Sequence, residues 1–86
     1  MQFEWDPNKS AANKLKHGID FLEGEALWDD PERLELPAQT MGETRYMLIG
    51  IIRNRYWSAI FTIRSEKIRI ISIRHARDME IEAYEN

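Results

Sequence analysis

The feature that most constrains the fold is a strand–turn–strand pattern in the second half of the chain. In the segment YWSAIFTI, residues 56–63, the odd-numbered positions are apolar and predict one core-facing row, while the even-numbered positions face the opposite side. Ser65-Glu66-Lys67 predicts a tight turn, and residues 68–74 predict a second strand rich in isoleucine. Strands joined by a tight turn pair antiparallel, so we expect a hairpin with one face in the core.

The rest of the chain predicts further strands and helices around this hairpin. Strands are expected over residues 1–5, 33–36 and 43–52, with a loop over 37–42 and a hairpin turn over 53–55. Helices are expected over residues 8–17, from Asp20 to the Asp29-Asp30-Pro31 stretch, and over 78–84.

The boundaries of the first two helices carry specific end signals. Asp6-Pro7 places a preferred N-cap before a preferred first helical residue, and Gly18 occupies the position where a helix ends in a left-handed residue. Asp20 and Glu23 have the spacing of a capping box. The residues expected to be buried are Ala11, Ala12 and Leu15 in the first helix, with Asn13 outward, and Phe21, Leu22, Ala26 and Trp28 in the second.

The predicted order is β-α-α-β-β-β-β-α, which is an α+β fold with an antiparallel sheet of four to five strands. The helices are expected to cover one face of this sheet and to leave the other open for a functional site. A chain of 86 residues fits a single domain over 1–86.

Composition excludes several classes of protein. The chain has no cysteine, which argues against a disulfide framework, a thiol nucleophile and a cysteine-based zinc site. The N-terminal MQFEWDPNKS does not resemble a signal peptide, and the longest apolar run, residues 47–52, is far shorter than the about 20 residues of a membrane span. Asp29 and Asp30 precede Pro31, which is typical of a turn rather than a metal site. We therefore expect a cytoplasmic protein that needs no metal or cofactor and does not contact a membrane.

Charge is distributed unevenly along the chain. Residues 1–44 carry 4 basic and 10 acidic side chains, residues 45–77 carry 8 basic and 1 acidic, and residues 78–86 carry 4 acidic and none basic. A basic block within an acidic chain creates a local positive field that attracts polyanions. Neutralisation of the basic block by the acidic segments across the folded surface is an equally good interpretation of charge alone.

Four arginines lie at or near the ends of the strands in this block: Arg64, Arg69, Arg74 and Arg77. The guanidinium group binds phosphate oxygens bidentately, so arginines fixed on a sheet are suited to binding phosphate groups. Alternation places Arg64 and Arg74 with Ser72 on the open face. It places Arg69 on the other face with residues 71 and 73, where a structural ion pair is at least as good an explanation.

The quoted segments together resemble a known family. The segments are FEWDPNKSAANKLKHGIDF at the start, ETR before an apolar strand containing IG, FTIR, and RIISIRHA followed by Glu80 and Tyr84. Together they are similar to the BrnT-type toxins of bacterial type II toxin–antitoxin systems. The resemblance covers nearly the whole chain, and the ordered set of segments is more specific than any one of them.

This resemblance implies a RelE-like fold and a ribonuclease that arrests translation. It also implies neutralisation by a BrnA-type antitoxin with a ribbon-helix-helix DNA-binding domain. Operator DNA would then be contacted only through the antitoxin, and the toxin would form a dimer within the toxin–antitoxin complex.

Cleavage of RNA without a metal uses the 2′-hydroxyl of the substrate as nucleophile, and it needs a base, a cationic clamp and an acid. The catalytic candidates are Arg64, Arg74, Glu43 and His17. Arg64 and Arg74 would clamp the phosphate, and Glu43 or His17 would act as base. His17 matches the KHG element of the family, although capping of helix carbonyls explains it equally well. RNA-binding candidates are Lys16, Arg45, Tyr56, Arg69 and Ser72. An alternative function is an inactive binding module that acts mainly by forming a complex with its antitoxin.

Overall fold

The computed structural model describes residues 1–38 and 42–86, which form a five-stranded sheet and three α-helices. The strands are β1 (Phe3–Glu4), β2 (Leu34–Ala38), β3 (Arg45–Ile52), β4 (Arg55–Arg64) and β5 (Lys67–His75). The helices are α1 (Pro7–His17), α2 (Phe21–Gly24) and α3 (Asp78–Glu85), and a 3-10 helix (Glu25–Asp29) follows α2 directly.

The order of strands in the sheet is β1-β5-β4-β3-β2. The β2–β3, β3–β4 and β4–β5 pairs are antiparallel, whereas β1 pairs parallel with β5. The predicted α+β class and element order are confirmed, and β1 is the exception to the antiparallel arrangement. Of the predicted loop over 37–42, residues 37 and 38 belong to β2, and residues 39–41 lie outside the described part of the chain.

Both hairpin turns contain two residues in the left-handed region. Arg53 and Asn54 have φ of 52° and 66°, and Ser65 and Glu66 have φ of 49° and 66°. Two consecutive positive φ values are the signature of the tight turn whose twist matches that of paired strands. The turns are one residue shorter than predicted, because Arg55 and Lys67 already pair within the sheet.

The end signals of α1 are confirmed. The Asp6 carboxylate accepts a hydrogen bond from the Asn8 backbone N–H at 2.8 Å, and Pro7 occupies the first helical position. Gly18 ends the helix with φ of 83°, and its N–H donates to the Lys14 carbonyl.

The predicted buried face of α1 is wrong. Ala11, Ala12 and Leu15 are exposed, and Ser10 and Asn13 are buried in their place. The physical reason is hydrogen bonding, because the two polar side chains satisfy backbone groups of neighbouring segments.

Asn13 fastens α1 to two other parts of the chain. Its Nδ2 donates to the Ile19 carbonyl at 2.8 Å, and its Oδ1 accepts from the Ile73 N–H of β5 at 3.2 Å. Ser10 makes a similar contact, since its Oγ accepts from the Phe21 N–H at 2.9 Å. These bonds set the position of α1 against β5 without an apolar stripe.

The second helical segment also differs from the prediction. The capping box forms, because Glu23 N–H donates to Asp20 and the Asp20 N–H donates to the Glu23 carboxylate. The helix tightens to 3-10 geometry after Gly24, which moves the buried face to residues three apart. Gly24 and Leu27 are therefore buried, while Ala26, expected inside, is exposed. Leu22, also expected inside, is exposed within α2 itself, whereas Phe21 and Trp28 are buried as predicted.

The core lies between the sheet and these N-terminal helices. Trp28 packs edge-on against Phe3 and Phe61, with ring centroids 5.1 and 5.2 Å away. Leu27, Leu48 and Ala59 are fully buried around them. In the described residues no helix is long and apolar enough to cross a membrane.

A β-bulge interrupts β5. Ser72 pairs with Ile60 and Ile70 pairs with Phe61, so Ile71 is an extra residue on β5. The bulge reverses the alternation, and Arg69 consequently faces the same side as Ser72 and Arg74. The prediction that Arg69 lies on the core-packed face is therefore wrong.

Helix α3 lies on the face of the sheet opposite α1 and α2. Its Glu80 bonds to Ser58 and Arg74, which pair with each other on the side facing away from the core, and α3 packs against β3. Ile49, which pairs with Ser58, is fully buried on this side. The expectation that all helices cover one face is wrong for α3, and no helix among residues 1–38 and 42–86 covers the other end of this face.

Candidate functional site

The open end of this face carries an open-face cluster of five charged residues, four on strands β3, β4 and β5 and one just before β3: Arg45, Arg64, Lys67, Arg69 and Glu43. Thr62 pairs with Arg69 on β5, and its hydroxyl donates to the Thr44 carbonyl just before β3. Arg45 and Arg69 therefore flank Thr62, roughly 10 Å apart at the usual strand spacing. In the adjoining row, Arg64 pairs with Lys67.

Glu43 and Arg64, both predicted to be catalytic, lie in direct contact. Arg64 Nη2 donates to the two Glu43 carboxylate oxygens at 3.1 and 3.3 Å. The Arg64 side chain is 51% exposed and that of Glu43 35% exposed, so this ion pair is surrounded by water and weak. A phosphate group could therefore take the place of the carboxylate on the guanidinium group.

Two further RNA-binding candidates are Ser72, which borders the open-face cluster, and Arg69, which belongs to it. Ser72 lies one row further along β5, opposite Ile60, and is partly exposed. Arg69 Nη1 donates to the Glu4 carboxylate of β1 at 3.1 Å, and both side chains are about one-third exposed. Together with Arg45, these residues would extend a phosphate-binding surface across the sheet.

Arg74 is in a different environment. Its Nη1 and Nη2 each donate to a Glu80 oxygen at 2.8 Å, and the Glu80 carboxylate also accepts from the Ser58 hydroxyl and the Arg77 N–H. The hydrogen bond from Arg74 lowers the pKa of Glu80 from its usual 4.5 to about 2, against the opposing effect of burial, and the bonds from Arg77 and Ser58 add to it. A carboxylate thus occupies the bidentate position that a phosphate would need.

Tyr56 lies under the C-terminal part of α3. Its hydroxyl donates to the Glu85 carboxylate, and its ring packs edge-on against Tyr84 with centroids 5.6 Å apart. Tyr84 in turn donates to Asp30 at 2.8 Å, and Asp30 also accepts from the Ile51 N–H at 2.9 Å. The turn expected around Pro31 is also present, because the other Asp30 carboxylate oxygen accepts from the Glu32 N–H at 2.8 Å.

The structure separates His17 and Lys16 from the open-face cluster. His17 ends α1 on the core side of the sheet, beside Arg55 at the start of β4, whereas Arg64 ends the same strand. Nine steps along a strand correspond to roughly 30 Å. His17 therefore cannot act on the same phosphate as Glu43 and Arg64.

His17 lines a cavity of about 380 Å³, here called the histidine cavity. Its other polar lining residues are Glu23, Arg53, Arg55 and His75, and its apolar wall includes Ile19, Ala26, Ile52 and Trp57. Sequence reasoning gave no role to Arg53, Arg55 or His75. The alternation of β4 and β5 does hold a signal, because it places His75 beside Trp57 on the core side.

Comparison with known families decides the classification. A family model described as "Ribonuclease toxin, BrnT, of type II toxin-antitoxin system" matches residues 5–80. The chain belongs to the BrnT toxin family. The resemblance drawn from the sequence is thereby confirmed, and the match extends from the residue before the α1 N-cap to Glu80 of α3.

Membership in the BrnT family makes this protein the ribonuclease toxin of a type II system, which has a protein antitoxin as partner. No curated protein matches the chain. Among residues 1–38 and 42–86, no group of three or more His, Asp or Glu side chains is arranged to hold a metal ion.

Proposed function

We propose that this BrnT-family protein is a metal-independent endoribonuclease whose active site is the open-face cluster. The observation that carries the proposal is the contact between Glu43 and Arg64, which joins a carboxylate to a partly exposed guanidinium group beside two more arginines. A carboxylate base and an adjacent cationic clamp are two of the groups that transfer of a phosphoryl group to a 2′-hydroxyl requires.

Glu43 acts as the general base in this proposal. It removes the proton from the ribose 2′-hydroxyl, and the 2′-oxygen attacks the adjacent phosphorus while the bond to the 5′-oxygen breaks. The products are a 2′,3′-cyclic phosphate and a 5′-hydroxyl, whose oxygen takes its proton from solvent. Arg64 stabilises the extra negative charge on the phosphoryl oxygens, and Lys67, which pairs with Arg64, adds to the positive field at the departing oxygen.

The neighbouring residues hold the rest of the RNA strand. Arg45 and Arg69 flank Thr62 and would bind phosphates on either side of the scissile one, and Ser72 would donate a hydrogen bond in the next row. Arg74 and Tyr56, predicted to take part, are bound to Glu80 and Glu85 and would join only if α3 moved away. We place His17 and Lys16 outside this active site because of their distance from Glu43.

The finer biological role follows from the same family. We propose that cleavage arrests translation in the cytoplasm, and that a BrnA-type ribbon-helix-helix antitoxin neutralises the toxin. The toxin–antitoxin complex, containing a toxin dimer, would repress its own operon by binding operator DNA through the antitoxin.

The test is cleavage of RNA by the purified protein in the presence of a metal chelator. We expect Glu43→Gln and Arg64→Ala each to lower the cleavage rate by about 100-fold or more, the usual range for a general base or an oxyanion clamp. Products of the wild-type protein should end in a 2′,3′-cyclic phosphate. The matched controls are Glu82→Gln and Arg33→Ala, which change exposed residues distant from the open-face cluster and should leave the rate unchanged. A folded Glu43→Gln variant with full activity would refute the assignment.

One observation favours a second function, that of a catalytically weak binding module. Arg64, Arg69 and Arg74 each form an ion pair with a glutamate, so much of the positive charge on this face is compensated within the chain. This alternative predicts no cleavage even at equimolar protein and RNA, together with tight binding of the antitoxin by the same preparation.

A further inference from the structure

The histidine cavity combines two arginines with a planar surface formed by a histidine ring. Its volume of about 380 Å³ lies within the range usual for small-molecule sites. It lies on the core side of the sheet, at the β3–β4 turn, where the C-terminal end of α1 approaches β4 and β5. Its distance from the open-face cluster, roughly 30 Å along β4, makes it a separate place on the molecule.

The first feature is two arginines that make no close contact with a carboxylate. In the described residues neither Arg53 nor Arg55 forms an ion pair, and both are exposed. The acidic lining residue, Glu23, is already bound, because its carboxylate accepts from Lys14 Nζ at 2.7 Å and from the Asp20 N–H at 3.0 Å. The hydrogen bond from Lys14 is also the main reason that the pKa of Glu23 is lowered. Arg53 makes only the smallest contribution to that lowering, so Glu23 does not occupy either guanidinium group, and both can bind an anion.

The backbone that carries these two arginines is fixed by the turn and the sheet. Arg53 occupies the first left-handed position of the two-residue turn, and Arg55 pairs with Ile52 within the sheet. Arginines fixed in this way lose less conformational freedom when they bind a phosphate than arginines on a mobile loop would.

The second feature is a planar surface. The His75 imidazole stacks on Trp57, with ring centroids 4.2 Å apart and an angle of 23° between the planes. Trp57 is 6% exposed and gives the imidazole a fixed support, while His75 itself is exposed. The outer side of the His75 ring is thus available to stack on another aromatic ring, as histidines do with unpaired bases.

We propose that the histidine cavity is a nucleotide-binding site. Arg53 and Arg55 bind the phosphate, the base stacks on the outer side of His75, and the apolar wall around Ile52 contacts the base or sugar. A simple anion would use only the arginines, and an apolar ligand would use only the wall. A nucleotide uses both, and this favours it over an acidic peptide, whose side chains offer no ring to stack.

This inference does not rest on the proposed function. A nucleotide can bind in the histidine cavity whether or not Glu43 and Arg64 cleave RNA. The nucleotide could be a free mononucleotide or one unit of an RNA strand, since both present a phosphate and a base.

The test uses uridine 5′-monophosphate, which has no phosphodiester bond to cleave, and follows binding by the NMR signals of the two histidine rings and the Trp57 indole. We expect saturable shifts centred on His75 and His17. The double variant Arg53→Gln with Arg55→Gln should weaken binding at least tenfold, and His75→Ala should weaken it about fivefold or more. Arg33→Gln, which changes an exposed arginine that does not line the cavity, should bind like the wild-type protein.

Competing ligands separate the interpretations. Uridine alone and inorganic phosphate alone should each bind more weakly than uridine 5′-monophosphate, and a short poly-glutamate peptide should not displace it. A 2′-deoxy oligonucleotide is then compared with the mononucleotide. If the oligonucleotide binds more tightly, and His75→Ala lowers its affinity by the same factor, the natural source of the bound nucleotide is an RNA strand. If the two ligands bind with equal affinity, the natural ligand is a mononucleotide. Absence of shifts at His75, unchanged affinity in the double arginine variant, or displacement by poly-glutamate would overturn the proposal.

Discussion

Acid should destabilise this protein most strongly through the carboxylate of Glu80, whose pKa is lowered furthest. This group accepts four hydrogen bonds, two from Arg74 and one each from Ser58 and the Arg77 backbone, at distances of 2.8 to 2.9 Å. The ion pair is well covered, because the Glu80 side chain is 16% exposed and that of Arg74 24% exposed. These bonds favour the ionised form of Glu80 in the folded state, whereas the unfolded chain offers no such partners.

The size of the effect follows from the two pKa values. The pKa of Glu80 is about 2 in the folded protein, against a usual value of 4.5 in the unfolded chain. The folded value is the lower one, so the stabilisation is complete above pH 4.5 and is lost as the pH falls towards 2. At about 1.4 kcal/mol per pH unit, the full contribution is about 3 kcal/mol, and about 2 kcal/mol of it should be gone at pH 3.

The assay is denaturant unfolding of the wild-type protein and Glu80→Gln between pH 7 and pH 2.5. The variant cannot ionise at this position, so its free energy of unfolding should be lower than that of the wild type at pH 7 and should approach it as the pH falls. Other carboxylates with lowered pKa values, such as that of Asp30, titrate in both proteins and cancel in the difference. Glu82→Gln, an exposed change on the same helix, should follow the wild-type curve. A difference between wild type and Glu80→Gln that stays constant from pH 7 to pH 2.5 would refute the reasoning.

Two further predictions concern stability. Asn13→Ala should lower the free energy of unfolding by about 3 kcal/mol, because it leaves a buried carbonyl and a buried N–H without partners. The control is Asn8→Ala on the exposed side of the same helix, which should change the free energy of unfolding by less than about 0.5 kcal/mol. Equal effects of the two substitutions in thermal or denaturant unfolding would contradict the role given to Asn13. Replacing Ser65-Glu66 by Asn-Gly should raise the free energy of unfolding by about 1 kcal/mol. Ser65 and Glu66 both have positive φ, and Asn-Gly is the preferred pair for a turn of this kind. An unchanged denaturation midpoint would show that the native pair is not strained.

The fold class could be predicted because its determinants are local. The alternation in β4, the Asp6-Pro7 start of α1 and the Asp20–Glu23 capping box each specify their structure within a few residues, and all three are present. The buried face of α1 could not be predicted from hydropathy. Asn13 is buried by its hydrogen bonds to residues six and sixty positions away, and a polar residue of this kind looks solvent-exposed in sequence.

Part of the candidate site could be predicted for a similar reason. Arg64 ends β4 and Glu43 lies just before its partner strand β3, so their contact follows from correct strand pairing. The involvement of Arg74 with Glu80 depends on where α3 docks, which the sequence of a short helix does not specify. The histidine cavity depends on packing between α1 and the β3–β4 turn. The sequence therefore indicates His17 as a candidate residue but does not indicate which residues surround it.

The extra residue Ile71 has a consequence for how this family can vary in length. The inward–outward alternation of side chains is shifted by one residue between the two halves of β5. Because of this shift, Arg69 in one half and Arg74 in the other lie on the same side of the sheet. Loss of a single residue here would turn either Arg69 or Arg74 into the apolar interior. A length change that would be neutral in a surface loop would therefore be severe in this strand, and the number of residues between Arg69 and Arg74 is expected to be fixed more strictly than the identity of the residues that fill it.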